Sequence, residues 1–133
     1  MEERIIIACA TDNEIDFPDK HSGEAGCFLI FKINNSNAEF VTRIENTSPE
    51  ERIHGDPHKA KGVIGLLKNK NVDVIVSKQY GKNLKRIKDK VVPVIIKTDK
   101  IVDGIKLCIE NINLLRNELE KEGEERKHII LRQ

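Results

Sequence analysis

The stretch GVIGLLKNKNVDVIVSKQYG, residues 62–81, joins the end of a helix to a short buried strand. Val63 and Leu67 recur at helical spacing, which predicts a helix over residues 57–70. The run VDVIV (72–76) is rich in β-branched residues and is flanked by polar ones, as is typical of a strand buried on both faces. A helix leading into such a strand indicates a largely parallel sheet that is covered by helices.

Further strands and helices are predicted on both sides of this unit. The five predicted strands are RIIIACA, CFLIFKI, EFVTRIE, VDVIV and VVPVII, over residues 4–10, 27–33, 39–45, 72–76 and 91–96. The polar segment NNSNA favours a hairpin between the second and third. Pro93 moves the fifth strand towards a sheet edge, because proline cannot donate to the ladder. Two more helices are expected over 82–90 and 100–122, the latter capped by Thr98 or Asp99.

The order of these elements predicts a single α/β domain over residues 1–122. Three strands come first, followed by helix–strand pairs, which indicates a three-layer α/β/α arrangement around a mixed five-stranded sheet. Residues 123–133 are expected to form a charged C-terminal extension, in which HIILR (128–132) is a candidate for an additional strand. The sequence leaves open whether that strand pairs within the molecule or with a neighbouring copy.

Composition excludes several classes of function. The 133 residues carry a net charge of only +1, and no basic arm stands out, which argues against a nucleic-acid partner. The apolar run near the N-terminus is too short for a signal peptide or a membrane span. Three cysteines without a C-x-x-C pair argue against a disulfide framework. A cytoplasmic protein with no membrane partner is therefore expected.

Strand directions predict where the loops lie. If the first strand runs upwards, the loops over 11–26, 46–56, 77–81 and 97–99 all fall at the same upper end. Ligands of open α/β sheets bind at the carboxyl ends of the parallel strands. We therefore expect a binding site among these loops.

The stretch HGDPHKAKG (54–62) holds two histidines four residues apart. Asp56 and Pro57 have the chemistry of a helix start, so His58 falls inside the helix and His54 outside it. The pair then does not share one helical face, and a capped helix with two exposed histidines is the simplest interpretation. His54 remains a candidate ligand, and the helix N-terminus is alternatively an anion site.

Thiol and imidazole groups from separate loops form the candidate metal site. Cys27, His21 and His54 all belong to the predicted upper end, and neutral imidazole with thiolate suits iron, copper or zinc. Packing in the core is the competing interpretation of Cys27. Cys9 and Cys108 are both expected in the core.

Motifs of common enzymes are missing from the sequence. There is no phosphate-binding G-x-x-x-x-G-K-[ST], no G-x-G-x-x-G, no G-x-S-x-G and no H-E-x-x-H. Asp12, Asp16 and Asp19 have the composition of a two-metal carboxylate cluster, but turn and cap chemistry explains them more simply. No catalytic residue is assigned, and a non-enzymatic protein is expected.

Two segments resemble the dinitrogenase iron–molybdenum cofactor biosynthesis domain. TDNEIDFPDKHSGEAGCFLIFKI (11–33) is similar to its opening, an Asp-rich loop followed by a His-containing motif and a strand. HGDPHKAKGVIGLLKNKNVDVIVSKQYGKN (54–83) is similar to its second half, and the likeness covers about residues 4–110. The resemblance implies a ribonuclease H-like fold without nuclease activity. It also implies binding or carriage of an iron–sulfur or iron–molybdenum type cluster or its precursor.

The resemblance can be followed residue by residue. The positions that match the family's motifs are His21, Gly23, Ala25, His54, Gly55, Gly81 and Asn83. Three positions depart from the pattern: Ser22 replaces a phenylalanine, Glu24 stands where arginine is common, and Lys82 replaces a common proline. Loss of that arginine removes a positive charge from the expected hold on an anionic cluster.

Three hypotheses follow. The first is a non-enzymatic carrier of such a cluster, serving cofactor-assembly proteins, with Cys27, His21 and His54 as metal ligands. The cofactor-binding set is then His21, Gly23, Cys27, His54, Gly55, Gly81 and Asn83. The second is a phosphate- or nucleotide-binding module, or a small enzyme, that uses the same loops. The third is a protein-interaction domain that dimerises through HIILR; monomer and homodimer both stay open.

Overall fold

The computed structural model describes residues 4–48 and 57–133, and within them the helices and strands follow the predicted order. The strands are β1 (Ile5–Thr11), β2 (Cys27–Ile33), β3 (Ala38–Glu45), β4 (Val74–Ser77), β5 (Val92–Lys97) and β6 (Ile129–Arg132). The helices are α1 (Pro57–Lys68), α2 (Leu84–Lys88), α3 (Ile101–Glu110) and α4 (Ile112–Leu119), with 3₁₀ turns at Ser22–Glu24 and Gly123–Glu125. No helix in the described ranges is long and apolar enough to cross a bilayer.

The strands form one mixed sheet in the order β3-β2-β1-β4-β5-β6. β1, β4, β5 and β6 are parallel, whereas β2 is antiparallel to both of its neighbours. The prediction of five strands is wrong, because the C-terminal segment adds β6 beside β5, with Val94 opposite Ile129. The extra strand therefore pairs within the molecule.

The expectation that Pro93 lies in an edge strand is also wrong, since β5 sits between β4 and β6. The Val92 N–H donates to the Asp73 carbonyl on the β4 side, at 2.9 Å. Successive backbone groups of a strand alternate sides, so the nitrogen of Pro93 faces β6. Pairing with β6 begins only at Val94 opposite Ile129, and no ladder hydrogen bond is lost at the proline.

Both faces of the sheet are covered, as the three-layer prediction requires. Alternation along β1 sends Ile7 and Cys9 to one face and Ala8 to the other. The first face packs against α3 and α4, and the second packs against α1 and α2. The largest fully buried side chains include Phe17, Ile7, Ile33, Ile96 and Leu115 on the first face, and Phe28, Ile30, Val63, Leu67 and Ile75 on the second.

The last predicted helix, residues 100–122, is two helices with a break at Asn111. Asn111 has φ −112° and ψ 24°, and its side-chain amide donates to the Leu107 carbonyl at 2.8 Å. An asparagine side chain that bonds the backbone in this way competes with continued helix. The expected cap is wrong as well: Lys100 is the N-cap of α3, and the Asp99 carboxylate accepts from Lys78 instead.

The loops after β1, β4 and β5 meet at the upper end of the sheet, where the parallel strands end. The Ser22 N–H donates to the Gln79 carbonyl at 3.0 Å, which ties the first loop to the loop after β4. The Phe17 N–H donates to the Asp99 carbonyl at 2.8 Å, which ties it to the loop after β5. These bonds place the loops as the strand directions predict.

Candidate functional site

A cleft opens at the upper end of the sheet between the first loop, α1 and the loop that precedes α2. It is lined by His21, Ser22, Gly23, Glu24, Lys59, Ala60, Val63, Gly81, Lys82, Asn83 and Ile87. We term it the upper cleft. Four of the residues that the sequence assigns to cofactor binding, His21, Gly23, Gly81 and Asn83, lie in this lining.

The ring of His21 lies against the main chain of Gly81. A Cβ placed on Gly81 would be 2.8 Å from His21 Nδ1 and 3.1 Å from Cε1, which is closer than packed atoms tolerate. The backbone of His21 also bridges to Gln79, so the two loops hold the ring against the glycine. A side chain at residue 81 would therefore force the ring or the loop to shift.

Glu24 is the acidic neighbour of His21. Its Oε1 lies 3.3 Å from His21 Nδ1, and the two side chains are 50% and 32% exposed. The carboxylate thus contacts the ring through Nδ1. A carboxylate behind a histidine is the usual arrangement that fixes the tautomer of metal-ligating imidazoles.

Two lysines bring positive charge to the upper cleft. The stem of Lys59 passes over Gly23, with its Cε 3.3 Å from the position that a Cβ of Gly23 would take. Lys82 lines the same cleft from the loop before α2 and is exposed. The two ammonium groups outnumber the single carboxylate of Glu24 in the lining.

Cys27 does not line the upper cleft. It opens β2 opposite Thr11, its Sγ lies 3.4 Å from the Thr11 carbonyl, and the residue is 1% exposed. Alternation places it on the same face as Leu29, which packs towards α3 and α4, whereas Val63 of the cleft lies on the opposite face. Burial raises the pKa of the Cys27 thiol, an effect that the positive charge of Arg43 opposes.

The residues of the HGDPHKAKG stretch have different outcomes. His54, Gly55 and Asp56 lie outside the described residues. His58 is exposed on the first turn of α1. In the described parts of the chain, no group of three or more His, Cys, Asp or Glu side chains is arranged to hold a metal ion.

The aspartates of the first loop act as structural ion pairs. Asp12, Asp16 and Asp19 each face a different lysine, namely Lys20 at 2.8 Å, Lys100 at 3.5 Å and Lys78 at 3.3 Å. The hydrogen bond from Lys20 lowers the pKa of Asp12, and the Gly26 N–H adds to this effect. These separate pairings agree with the turn interpretation of the segment.

Tyr80 anchors the loop that carries Gly81, a role that sequence reasoning missed. Its hydroxyl lies 2.9 Å from both the Ile75 and the Val94 carbonyls, on adjacent strands. Burial raises the pKa of this phenol well above its usual value. The only available signal was an aromatic residue beside a glycine directly after a buried strand.

Fold and cleft together define a small α/β domain with a cleft at the carboxyl ends of its parallel strands. The chain belongs to the dinitrogenase iron–molybdenum cofactor family, whose model matches residues 3–111. This confirms the family resemblance seen in the sequence and supports a role connected with a metallocluster.

The fold has a counterpart among solved structures. A crystal structure of a Methanocaldococcus jannaschii protein, proposed to be a dinitrogenase, aligns with a TM-score of 0.59 at 20% sequence identity. The alignment covers 82% of this chain and 91% of the other. At this identity the likeness shows the fold alone. No curated protein matches the chain.

Proposed function

We propose that the upper cleft binds and carries an iron–sulfur or iron–molybdenum type metallocluster, or its precursor, without catalysing a reaction. The observation that carries the proposal is the His21 imidazole held over Gly81 inside a concave, positively charged lining. Membership of the cofactor family supports this choice of ligand. The strand order β3-β2-β1-β4-β5 also supports the ribonuclease H-like arrangement that the resemblance implies.

His21 makes the first bond to the cluster in this proposal. Glu24 lies 3.3 Å from Nδ1 and orients the ring, and Nε2 then bonds iron. Glu24 thus gains a function that the arginine common at this position does not have. Gly81 leaves room for the ring, since a Cβ there would force the ring or the loop to shift.

The lysines compensate for the missing arginine. Lys59 and Lys82 line the upper cleft and supply positive charge for an anionic cluster. Gly23 contributes by letting the Lys59 stem pass close to the loop backbone. Asn83, at the N-cap of α2, accepts a hydrogen bond from Arg86 at 2.9 Å, and this bond holds the Arg86 guanidinium beside the cleft.

Cys27 enters the site only after a rearrangement. Its Sγ lies beside the Thr11 carbonyl, and burial opposes formation of the thiolate that binds metal. We therefore assign the first capture of the cluster to His21 and assign Cys27 to a later, tighter state. His54 and Gly55 complete the proposed set from the segment before α1.

Reconstitution tests this assignment. The protein is incubated without oxygen with iron, sulfide and molybdate, and bound metal is measured by elemental analysis and visible absorbance. His21→Ala is expected to lose most of the bound metal, and Cys27→Ala to bind metal that desalting removes. His128→Ala is the matched control, since His128 is exposed just before β6. Equal metal content in wild type, His21→Ala and His128→Ala would overturn the proposal.

A phosphorylated small molecule is the second candidate ligand, because Lys59 and Lys82 also suit phosphate. A thermal-shift screen with nucleotides and phosphorylated metabolites separates the two. Stabilisation that Lys59→Ala with Lys82→Ala abolishes, in protein that takes up no metal, would favour this candidate over the cluster.

The expected setting is a reducing compartment, the cytoplasm, with cofactor-assembly proteins as partners. Cys9, Cys27 and Cys108 are all free thiols, which supports such a setting.

A further inference from the structure

A second pocket lies at the lower end of the sheet, on the opposite side from the loops of the upper cleft. It is lined by Arg4, Ile5, Lys68, Asp73, Lys90, Arg116, Leu119, Glu120 and Arg126, and has a volume of about 320 Å³. Ligand pockets commonly start at roughly 300 Å³, so the space suits a small molecule. We term it the lower pocket.

Charge in the lower pocket is strongly one-sided. Five of its side chains are basic and two are acidic, whereas the whole chain carries a net charge of only +1. One of the two carboxylates is committed to the backbone: Asp73 Oδ2 accepts the Ile6 N–H at 2.9 Å. The Asp73 main chain also donates to the Ile6 carbonyl at 2.8 Å, so this residue links β1 to β4 as part of the framework.

Hydrogen bonds within the protein hold Arg116 and Arg126, the two arginines of the lining that come from the C-terminal part of the chain. Arg126 donates through Nε to the Glu118 carbonyl at 3.3 Å and through Nη2 to the Leu119 carbonyl at 3.0 Å. Arg116 donates through Nη1 to the Asn35 side chain at 3.1 Å. A guanidinium that is already held in place loses less entropy when it binds an anion.

The segment after the family-matched region builds much of the lower pocket. Arg116, Leu119, Glu120 and Arg126 all follow residue 111, where the family match ends. Close packing fixes this segment, since a Cβ on Gly123 would lie 2.5 Å from the Asp89 carbonyl oxygen. The pocket is thus a joint feature of the family-matched region and of the residues that follow it.

We propose that the lower pocket binds a small multivalent phosphate anion, of the pyrophosphate or triphosphate class. Its cations come from the N-terminus, α1, the turn before β5, α4 and the tail, so they surround one volume instead of forming a stripe. A stripe would suit a polymer, and a ring of cations suits a compact anion with several charged oxygens. This site is separate from the upper cleft and does not depend on the cluster proposal.

Calorimetric titration with inorganic pyrophosphate and tripolyphosphate at constant ionic strength tests the site. The pocket variant combines Lys68→Ala with Lys90→Ala, because both lysines are exposed. The control variant combines Lys61→Ala with Lys106→Ala, which removes the same charge from exposed positions outside the pocket. We expect the pocket variant to bind about tenfold more weakly or worse, and the control to match wild type.

Other outcomes overturn the proposal. Absence of binding to wild type, or equal weakening in both double variants, would mean that the pocket holds no specific phosphate site. If only the double variant Lys59→Ala with Lys82→Ala bound these anions more weakly, the phosphate site would lie in the upper cleft. If single-stranded RNA bound more tightly than tripolyphosphate at the same salt concentration, the ligand of the pocket would be a nucleic acid and not a small anion.

Discussion

His21 and Gly81 are in direct contact across two loops, with His21 Nδ1 only 2.8 Å from the point where a Cβ on residue 81 would stand. The two residues come from loops 60 positions apart in the sequence, after β1 and after β4. The contact makes the position of the imidazole sensitive to a single methyl group, and it gives the upper cleft a direct mutational test.

Gly81→Ala is expected to displace the His21 ring and to lower both metal uptake and stability, the latter by roughly 1–3 kcal/mol, as is usual for overpacking. Metal analysis after reconstitution and urea unfolding measure the two effects. Gly65→Ala is the matched control. Gly65 lies in α1, and a Cβ there would meet no atom within 4 Å. This variant should keep metal uptake and gain about 0.5–1 kcal/mol from helix propensity. Full metal uptake in Gly81→Ala would contradict the role of the contact.

Gly104→Ala is expected to destabilise the protein although alanine favours helices. A Cβ on Gly104 would lie 2.6 Å from Cε2 of Phe17, a side chain that is 2% exposed and among the largest fully buried ones. The ring has little room to move, so the free energy of unfolding should fall by about 1–3 kcal/mol in urea titrations. A variant as stable as wild type would mean that Phe17 repacks freely.

The single tyrosine makes its own ionisation visible in absorbance, since the chain has no tryptophan. Burial raises the pKa of Tyr80, so the folded protein should show no tyrosinate signal near pH 10, where the unfolded chain titrates. Above that pH the unfolded state binds fewer protons than the folded one, so stability falls as pH rises. Tyrosinate absorbance near pH 10 in folded protein would contradict the buried position.

Tyr80→Phe removes the hydroxyl that lies 2.9 Å from two strand carbonyls. Loss of one buried hydrogen-bond donor should lower the free energy of unfolding by about 1–2 kcal/mol. The loop that carries Gly81 loses its anchor at the same time, so metal uptake should weaken more than in the Gly65→Ala control. Stability and metal uptake equal to those of wild type would mean that Tyr80 does not anchor the loop.

The three cysteines should resist a thiol reagent in the folded protein. All are buried, and burial raises the pKa of Cys9, of Cys27 and of Cys108, the last to about 12. At pH 8 the folded chain should therefore react slowly with a chromogenic disulfide, whereas the protein in denaturant should release signal for all three. Rapid modification of Cys27 in folded protein would mean that its thiol reaches the surface without rearrangement.

Sequence patterns predicted the layered α/β domain because the spacing of apolar residues along the chain marks which face of a helix or strand is buried. The β-branched run of β4 and the helical spacing of Val63 and Leu67 are local signals, and the structure keeps both. Predictions were wrong where the pairing of a strand with a distant segment decides which positions tolerate proline. Pro93 is tolerated inside the sheet because β6 begins one residue later, and no local pattern carries that register.

The candidate site was predicted in part, because strand directions can be inferred from the order of the elements. Strand direction brought His21 and Gly81 to one end of the sheet, and the structure places them in contact. The face of the sheet was not considered for Cys27, although alternation along β2 groups it with Leu29, away from the cleft. The pairing of Glu24 with His21 needs a loop conformation that spacing alone does not supply.

Pulsed electron paramagnetic resonance on cluster-loaded protein with ¹⁵N-labelled histidine tests the central claim most directly. We predict couplings from two histidine nitrogens, those of His21 and His54. In the cluster that His21→Ala still retains, the His21 coupling is lost, whereas His128→Ala keeps both. A loaded protein whose nitrogen couplings are unchanged in His21→Ala, or that shows no such coupling, would contradict the claim.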